Sequence, residues 1–122
     1  MSKILIIDDD YTIAEAYKIA FESNGHEVSV APEGKTGLGV ANSHHFDVIL
    51  LDMLMPYMGG VDFLVDYQGP VKHPDTKIIV LTNSLVPAKS EEKVKRLGAS
   101  DYLQKSSLTP QKVVGIVEAL LK

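Results

Sequence analysis

Three short runs of isoleucine, valine and leucine stand out along the chain because no polar residue alternates with them. They span residues 4–7, 48–51 and 78–81. Uninterrupted apolar runs of this length are typical of strands that are buried on both faces, as in a parallel sheet. Weaker strands are predicted at residues 27–31, where Val28 and Val30 alternate with polar residues, and at residues 101–104, a short run that follows the turn residue Gly98. The pattern therefore predicts five strands.

Between the strands, apolar residues recur at the three- and four-residue spacing of amphipathic helices. Such stripes are formed by Ile13, Ala16, Tyr17, Ala20 and Phe21; by Val61, Leu64 and Val65; by Val94 and Leu97; and by Val113, Ile116, Val117 and Leu120. The Asn24-Gly25 pair predicts the end of the first helix, and Thr109 followed by Pro110 predicts the start of the last. We expect residues 68–76, which include two prolines, to form a surface loop.

The predicted elements alternate as strand and then helix, five times over. Alternation of this kind, with right-handed crossovers, predicts a parallel sheet covered by helices on both faces, which is the α/β class. The sequence contains no repeat, linker or low-complexity stretch. With 122 residues and a mass of 13.3 kDa, the chain has room for one domain.

Composition narrows the class of function. The chain has no cysteine, which excludes disulfides, thiolate metal sites and thiol nucleophiles, and suits the reducing cytoplasm. The net charge is −4 and Arg96 is the only arginine, so no broad basic surface is available for nucleic acid. The longest apolar runs are far shorter than the roughly 20 residues of a membrane span. We therefore expect a cytoplasmic protein with no direct contact to nucleic acid or membrane.

The ends of the predicted strands carry the candidate chemistry. In open α/β sheets, ligands bind outside the carboxyl ends of the strands, so residues there come together. The first strand ends in three aspartates, and the third, fourth and fifth strands contribute a carboxylate, a hydroxyl and an amine, namely Asp8, Asp9 and Asp10, then Asp52, Thr82 and Lys105. Clustered carboxylates repel unless one is protonated or a cation lies among them, and hard oxygen ligands favour Mg²⁺. A lysine and a hydroxyl would stabilise a transferring phosphoryl group, with one carboxylate as its nucleophile.

These residues resemble the receiver domain of two-component response regulators over essentially the whole chain. The motifs KILIIDDD, FDVILLDMLMP, IIVLTN and GASDYLQK are similar to its first, third, fourth and fifth strands. The resemblance implies a flavodoxin-like (βα)5 fold, a doubly wound parallel sheet with strand order 2-1-3-4-5. It also implies a single receiver domain over residues 1–122 without an output domain, acting as a phosphoacceptor in signalling rather than as an enzyme.

The resemblance further implies a role for each site residue. Asp52 would accept a phosphoryl group from a sensor histidine kinase or a phosphotransfer protein. Mg²⁺ would be held by Asp8, Asp9, Asp52 and the backbone carbonyl of Leu54. Thr82 and Lys105 would contact the phosphoryl oxygens, and Tyr102 matches the aromatic residue that switches as the threonine moves.

The partners follow from the same resemblance. A downstream protein would bind the face formed by the fourth helix, fifth strand and fifth helix. The chain would be a monomer or a phosphorylation-dependent dimer.

Two positions depart from the family pattern, and a third bears on the lifetime of the phosphoryl group. Ser106 replaces the usual proline after the lysine. Because a cis bond before a residue other than proline costs roughly 2.5 to 4 kcal/mol, we expect either a trans bond with a shifted loop or a strained bond. Asn83 stands where a small residue is common, which narrows access to the site. Leu54 offers no hydrogen bond to a hydrolytic water, so slow loss of the phosphoryl group is expected.

Two alternatives remain open at the level of sequence. The segment Asp8-Asp9-Asp10-Tyr11-Thr12 also resembles the D-x-D-x-T motif of haloacid-dehalogenase-type phosphatases, with Asp8 as nucleophile and Asp10 as acid and base. That alternative leaves Asp52 without a role, lacks a later acidic metal motif, and requires a longer chain for its core and cap. A scaffold that does not depend on phosphorylation is the other alternative, and the intact set of site residues argues against it.

Overall fold

The computed structural model describes residues 2–83 and 88–122, which form a parallel sheet of five strands with helices on both faces. The strands are β1 (Lys3–Ile7), β2 (Glu27–Ala31), β3 (Val48–Asp52), β4 (Lys77–Thr82) and β5 (Asp101–Gln104). Their order is β2-β1-β3-β4-β5, and each neighbouring pair is parallel. The predicted α/β class and the flavodoxin-like strand order 2-1-3-4-5 are confirmed.

Five longer helices alternate with these strands. They are α1 (Tyr11–Ser23), α2 (Gly34–Ser43), α3 (Gly60–Tyr67), α4 (Ala88–Arg96) and α5 (Pro110–Leu121). The predicted ends of two of them are confirmed. After α1, Gly25 has a φ of 86°, a conformation that glycine adopts without steric cost. At the start of α5, the Thr109 hydroxyl accepts a hydrogen bond from the backbone N–H of Lys112 at 3.2 Å.

Two segments differ from the sequence prediction. The stretch predicted as a loop contains a four-residue helix, Gly69–Lys72, whose first turn holds a proline. Proline is favoured in the first turn because its missing N–H would be unpaired there. In α3, Val65 was predicted to face the core, but it is 49% exposed. Phe63 and Tyr67 are buried instead, with ring centroids 5.3 Å apart.

The core lies in two layers, one on each side of the sheet. Successive side chains of a strand point to opposite faces, so β1 contributes to both layers. Leu5 and Ile7 pack in a layer with residues of α2, α3 and α4, whereas Ile4 and Ile6 pack with residues of α1 and α5. The carboxyl ends of the strands therefore open at one edge between the two layers.

Within the described parts of the chain, no helix has both the length and the apolar character needed to cross a membrane.

Candidate functional site

Three aspartates meet at the carboxyl edge of the sheet because β1 and β3 are neighbours. Ile7 of β1 pairs with Leu51 of β3, which brings the next residue of each strand to the same level. Asp8 and Asp52 are buried and Asp9 is exposed. One carboxylate oxygen from each lies within 4.8 Å of the others. The cluster predicted from the strand ends is therefore formed by these three residues.

Asp10 has a different role from its neighbours. Its carboxylate accepts a hydrogen bond from the backbone N–H of Ile13 at 3.1 Å, so it is the N-cap of α1. Its own backbone N–H donates to Asp8 Oδ1 at 2.9 Å, which orients the Asp8 side chain. In the turn after β1, Asp10 therefore caps the helix, while its backbone N–H orients the Asp8 side chain toward the carboxylate cluster.

Lys105 reaches the cluster from the end of β5. Its Nζ lies 2.7 Å from Asp8 Oδ2 and 3.1 Å from Asp52 Oδ1, and its side chain is only 7% exposed. The peptide bond between Lys105 and Ser106 is trans, which is one of the two outcomes expected from the sequence. Residues Lys105–Ser107 form a short 3-10 helix. The lysine lies at the site even though serine follows it.

The surroundings of Asp52 favour its protonated form. Burial raises the pKa of the Asp52 carboxyl group from 3.8 to about 7, and the charge of Asp8 adds to this effect, while Lys105 opposes it. For Lys105, burial lowers the pKa of the amine. The hydrogen bond to Asp8 and the charges of both aspartates outweigh burial, so the pKa is raised and the amine stays cationic. Added positive charge at this site would favour ionisation of Asp52.

Thr82 is the last residue of β4 and is buried, with 1% of its surface exposed. Within the described part of the chain, its hydroxyl oxygen has no hydrogen-bond partner. A buried hydroxyl without a partner carries an unrecovered desolvation cost of about 1–3 kcal/mol. Such a group is suited to a ligand oxygen that arrives later.

The carboxylate cluster opens into a cleft of about 510 Å³. Leu54 and Asn83 line the cleft, as do Tyr11 and Ile13 of the first turn of α1. The Leu54 side chain is 63% exposed, and the role of its carbonyl oxygen stays a prediction. Tyr11 and Ile13 were not predicted from the sequence to line this cleft. Only their position in the sequence could have indicated this role, because the first turn of the helix that follows β1 must lie at the carboxyl edge of the sheet.

Tyr102 is on β5, the strand next to β4. It pairs with Val80, two residues before Thr82 along β4. Its side chain is partly buried against the core layer that contains α2, α3 and α4. The residue expected to switch therefore lies on the strand adjacent to the residue expected to move.

Comparison with known proteins gives one consistent family. The sequence model of the response regulator receiver domain matches residues 4–118. Response regulator ArlR of Staphylococcus saprophyticus is 34% identical over 109 residues, covering 86% of this chain and 46% of that protein. The chain thus spans about half the length of the curated relatives it matches.

Solved structures agree with this match. A CheY-like receiver domain protein of Methanospirillum hungatei has a TM-score of 0.90 at 26% identity, covering 99% of this chain and 94% of that one. Chemotaxis protein CheY4 of Vibrio cholerae has a TM-score of 0.87 at 27% identity, covering 98% of each chain.

Proposed function

Because this chain belongs to the family of response regulator receiver domains of two-component systems, we propose that Asp52 stores a signal as an aspartyl phosphate. The phosphoryl donor is the phosphohistidine of a sensor kinase or of a phosphotransfer protein. The observation that carries the proposal is the position of Asp52, a buried carboxylate beside Lys105 and Asp8 at the base of an open cleft. In this proposal the chain is a phosphoacceptor in signalling. It forms one receiver domain and works in the cytoplasm.

The transfer exchanges one bond to phosphorus for another. A carboxylate oxygen of Asp52 forms the new oxygen–phosphorus bond as the bond from phosphorus to the donor's imidazole nitrogen breaks. The imidazole keeps the electron pair and takes up a proton from solvent. Lys105 and Thr82 supply hydrogen-bond donors to phosphoryl oxygens, and such preorganised donors stabilise the charge that develops in transfer.

The carboxylate cluster fits Mg²⁺. Asp8, Asp9 and Asp52 offer hard oxygen ligands close together, and Mg²⁺ keeps several waters beside one or two carboxylates. The Leu54 carbonyl is the fourth expected ligand. When bound, the ion supplies positive charge that screens the carboxylates and the phosphoryl oxygens from one another. Lys105 supplies part of that charge from the chain itself, since it is already paired with two of the carboxylates.

Phosphorylation of Asp52 changes a second surface, away from the cleft, to which a partner binds. The hydroxyl of Thr82 gains a partner in the phosphoryl group, and its movement changes the packing of Tyr102 on the adjacent strand. A downstream protein then binds the face of α4, β5 and α5. The chain is a monomer, or a dimer when phosphorylated.

Intact mass after incubation with acetyl phosphate tests the proposal. We expect one phosphoryl adduct on wild type that requires Mg²⁺ and is lost in Asp52→Asn. Asp75→Asn is the matched control, because it removes the same charge from an exposed turn at the opposite edge of the sheet. No adduct on folded wild-type protein would contradict the proposal and favour a scaffold.

The same incubation distinguishes a phosphatase. Steady release of phosphate that depends on Asp8 would favour the haloacid-dehalogenase alternative. That alternative needs Asp10 as acid and base, but its carboxylate caps α1.

A further inference from the structure

Tyr57 lies in an unusual turn between β3 and α3. Its φ is 67°, and the backbone N–H of Met58 donates to the carbonyl oxygen of Pro56 at 2.7 Å. A hydrogen bond between residues two apart, with positive φ at the central residue, defines the rare and strained form of the γ-turn. The Tyr57 side chain is fully exposed, at 101%. Burial of the ring therefore does not compensate for the strain.

The surrounding structure holds this turn in place on both sides. A Cβ atom on Gly34 of α2 would lie 2.6 Å from the Met58 carbonyl oxygen, so α2 packs directly against the turn. On the other side, the backbone N–H of Gly60 donates to the Met53 carbonyl at 2.9 Å. Strained residues persist only where their neighbours fix them, and they concentrate at functional positions. The ring is thus presented to solvent on a fixed support.

Tyr57 borders a small cleft on α3. The cleft has a volume of about 270 Å³ and is lined by Tyr57, Met58, Asp62, Val65 and Asp66. Pockets for drug-sized ligands occupy about 300–1,000 Å³, so this one suits a single side chain with its flanks. Its floor is partly apolar, since Val65 is half exposed and Met58 is partly buried. We call these five residues the α3 cleft.

Two carboxylates flank the apolar part of the α3 cleft. Asp62 and Asp66 are exposed and one helical turn apart. Across residues 2–83 and 90–122, no cationic group lies within 4.0 Å of either carboxylate. The cleft therefore combines an exposed aromatic ring, apolar surface and two exposed carboxylates, of which Asp62 also accepts a hydrogen bond from the backbone N–H of Gly59 at 3.4 Å.

We propose that the α3 cleft binds a partner protein through an arginine flanked by apolar residues. A guanidinium group stacks on an aromatic ring and pairs with carboxylates, and its apolar neighbours would cover Met58 and Val65. A second copy of the chain does not offer this segment. Its single arginine, Arg96, follows Lys95, and the nearest apolar residues on either side, Val94 and Leu97, pack in the core. The occupant is thus a different protein, and its binding does not require phosphorylation of Asp52.

A peptide titration followed by ¹⁵N NMR tests the proposal, with acetyl-Leu-Arg-Leu-amide as the probe at millimolar concentration. We expect shift changes centred on the α3 cleft, and affinity about fivefold weaker for the peptide with glutamine in place of arginine. Equal binding of both peptides, or no shifts at the cleft, would overturn the proposal. So would binding centred on Asp8, Asp9 and Asp52, the other acidic site. Shifts that follow protein concentration alone would assign the cleft to a second copy.

Variants separate the ring from the charge. Tyr57→Gly suits the positive φ and removes no buried surface, so its melting temperature should be no lower than that of wild type, while peptide binding is lost. Asp66→Asn should weaken binding about threefold, and Asp75→Asn, the matched charge change, should not. Full binding by Tyr57→Gly would overturn the proposal. Asp52→Asn should bind like wild type, so a failure here is distinct from a failure of phosphorylation.

Discussion

The carboxyl group of Asp52 couples protonation to stability. Burial raises its pKa to about 7 in the folded chain, against 3.8 for an ordinary aspartate. The folded state therefore holds the proton more tightly, and stability from this group is fully present below pH 4 and is lost as pH rises to 7. At 1.36 kcal/mol per pKa unit, the loss is at most roughly 4 kcal/mol.

We expect Asp52→Asn to remove this loss, since an amide does not ionise. In urea unfolding with a chelator of divalent cations, the variant should gain stability relative to wild type as pH increases from 5 to 8. Asp75→Asn serves as the control and should show no such trend. A difference between Asp52→Asn and wild type that stays constant with pH would contradict the assigned environment.

The buried Thr82 hydroxyl, which has no partner among residues 2–83 and 90–122, should cost stability in the unphosphorylated chain. Thr82→Val replaces that hydroxyl by a methyl group, and we expect it to raise the free energy of unfolding by about 1 kcal/mol. Thr76→Val is the matched comparison, because the Thr76 hydroxyl donates to the Phe46 carbonyl at 2.7 Å. It should lower stability by about 1 kcal/mol. Urea unfolding of both variants checks the pair, and a loss of stability in Thr82→Val would mean that its hydroxyl has a partner in solution.

Leu54 should lengthen the life of the aspartyl phosphate. It lines the cleft beside Asp52, and its side chain provides no hydrogen bond that would orient an attacking water. We expect Leu54→Asn to shorten the lifetime of the adduct severalfold, measured by intact mass after the phosphoryl donor is removed. Leu54→Met keeps the side chain apolar and should decay like wild type. Equal decay of Leu54→Asn and wild type would exclude this role.

At the scale of elements, substitution of alanine for two glycines of α2 is expected to change the stability of the chain in opposite directions. A Cβ on Gly39 would meet no atom within 4 Å, whereas a Cβ on Gly37 would lie 2.6 Å from Ile7 Cδ1 in the core. Alanine favours a helix over glycine by about 0.5–1 kcal/mol, so Gly39→Ala should stabilise the chain by that amount. Overpacking costs about 1–3 kcal/mol, so Gly37→Ala should destabilise it by about 1–2 kcal/mol. Thermal unfolding of the two variants checks the contrast, and stabilisation by both would mean that α2 moves freely against β1.

The sequence predicted strands better than helices, for a physical reason. A parallel strand is buried on both faces, so residues 48–51 show as an uninterrupted apolar run. Helix α2 is packed through glycines and alanines, with Gly34, Gly37 and Ala41 buried, and such residues form no apolar stripe. In α3, Phe63 and Tyr67 face the core, whereas the apolar pattern predicted that Val65 would do so. A helix with apolar residues on several sides does not reveal which of them the sheet will cover.

At the scale of the whole molecule, the strand order of the sheet explains why the site residues lie close together. Placing residues at the carboxyl ends of parallel strands was enough to predict that Asp8, Asp52 and Lys105 would meet. Which carboxylates the lysine would contact was not predictable, since that depends on side-chain geometry across neighbouring strands. The same holds for Asp10, whose carboxylate could serve the cluster or the helix until the turn was known.

Phosphorylation of Asp52 is expected to reach β5 through β4. Thr82 and Gln104 are paired across these strands, and Val80 is paired with Tyr102. If a phosphoryl group on Asp52 draws the Thr82 hydroxyl toward it, the end of β4 shifts and the packing of Tyr102 against the core changes. We expect NMR signals of Tyr102 to move when wild type is phosphorylated with acetyl phosphate and Mg²⁺.

In Thr82→Val the mass adduct on Asp52 should persist, while the shift at Tyr102 falls to a small fraction of the wild-type value. The variant keeps the shape of threonine and loses only the hydroxyl, so it separates storage of the phosphoryl group from its transmission. His73, stacked on Tyr67 with ring centroids 4.1 Å apart and placed before β4, is the control and should be unmoved in both proteins. An undiminished Tyr102 shift in Thr82→Val would mean that charge at Asp52 reaches β5 by another route, with Lys105 at the end of that strand as the first residue to examine.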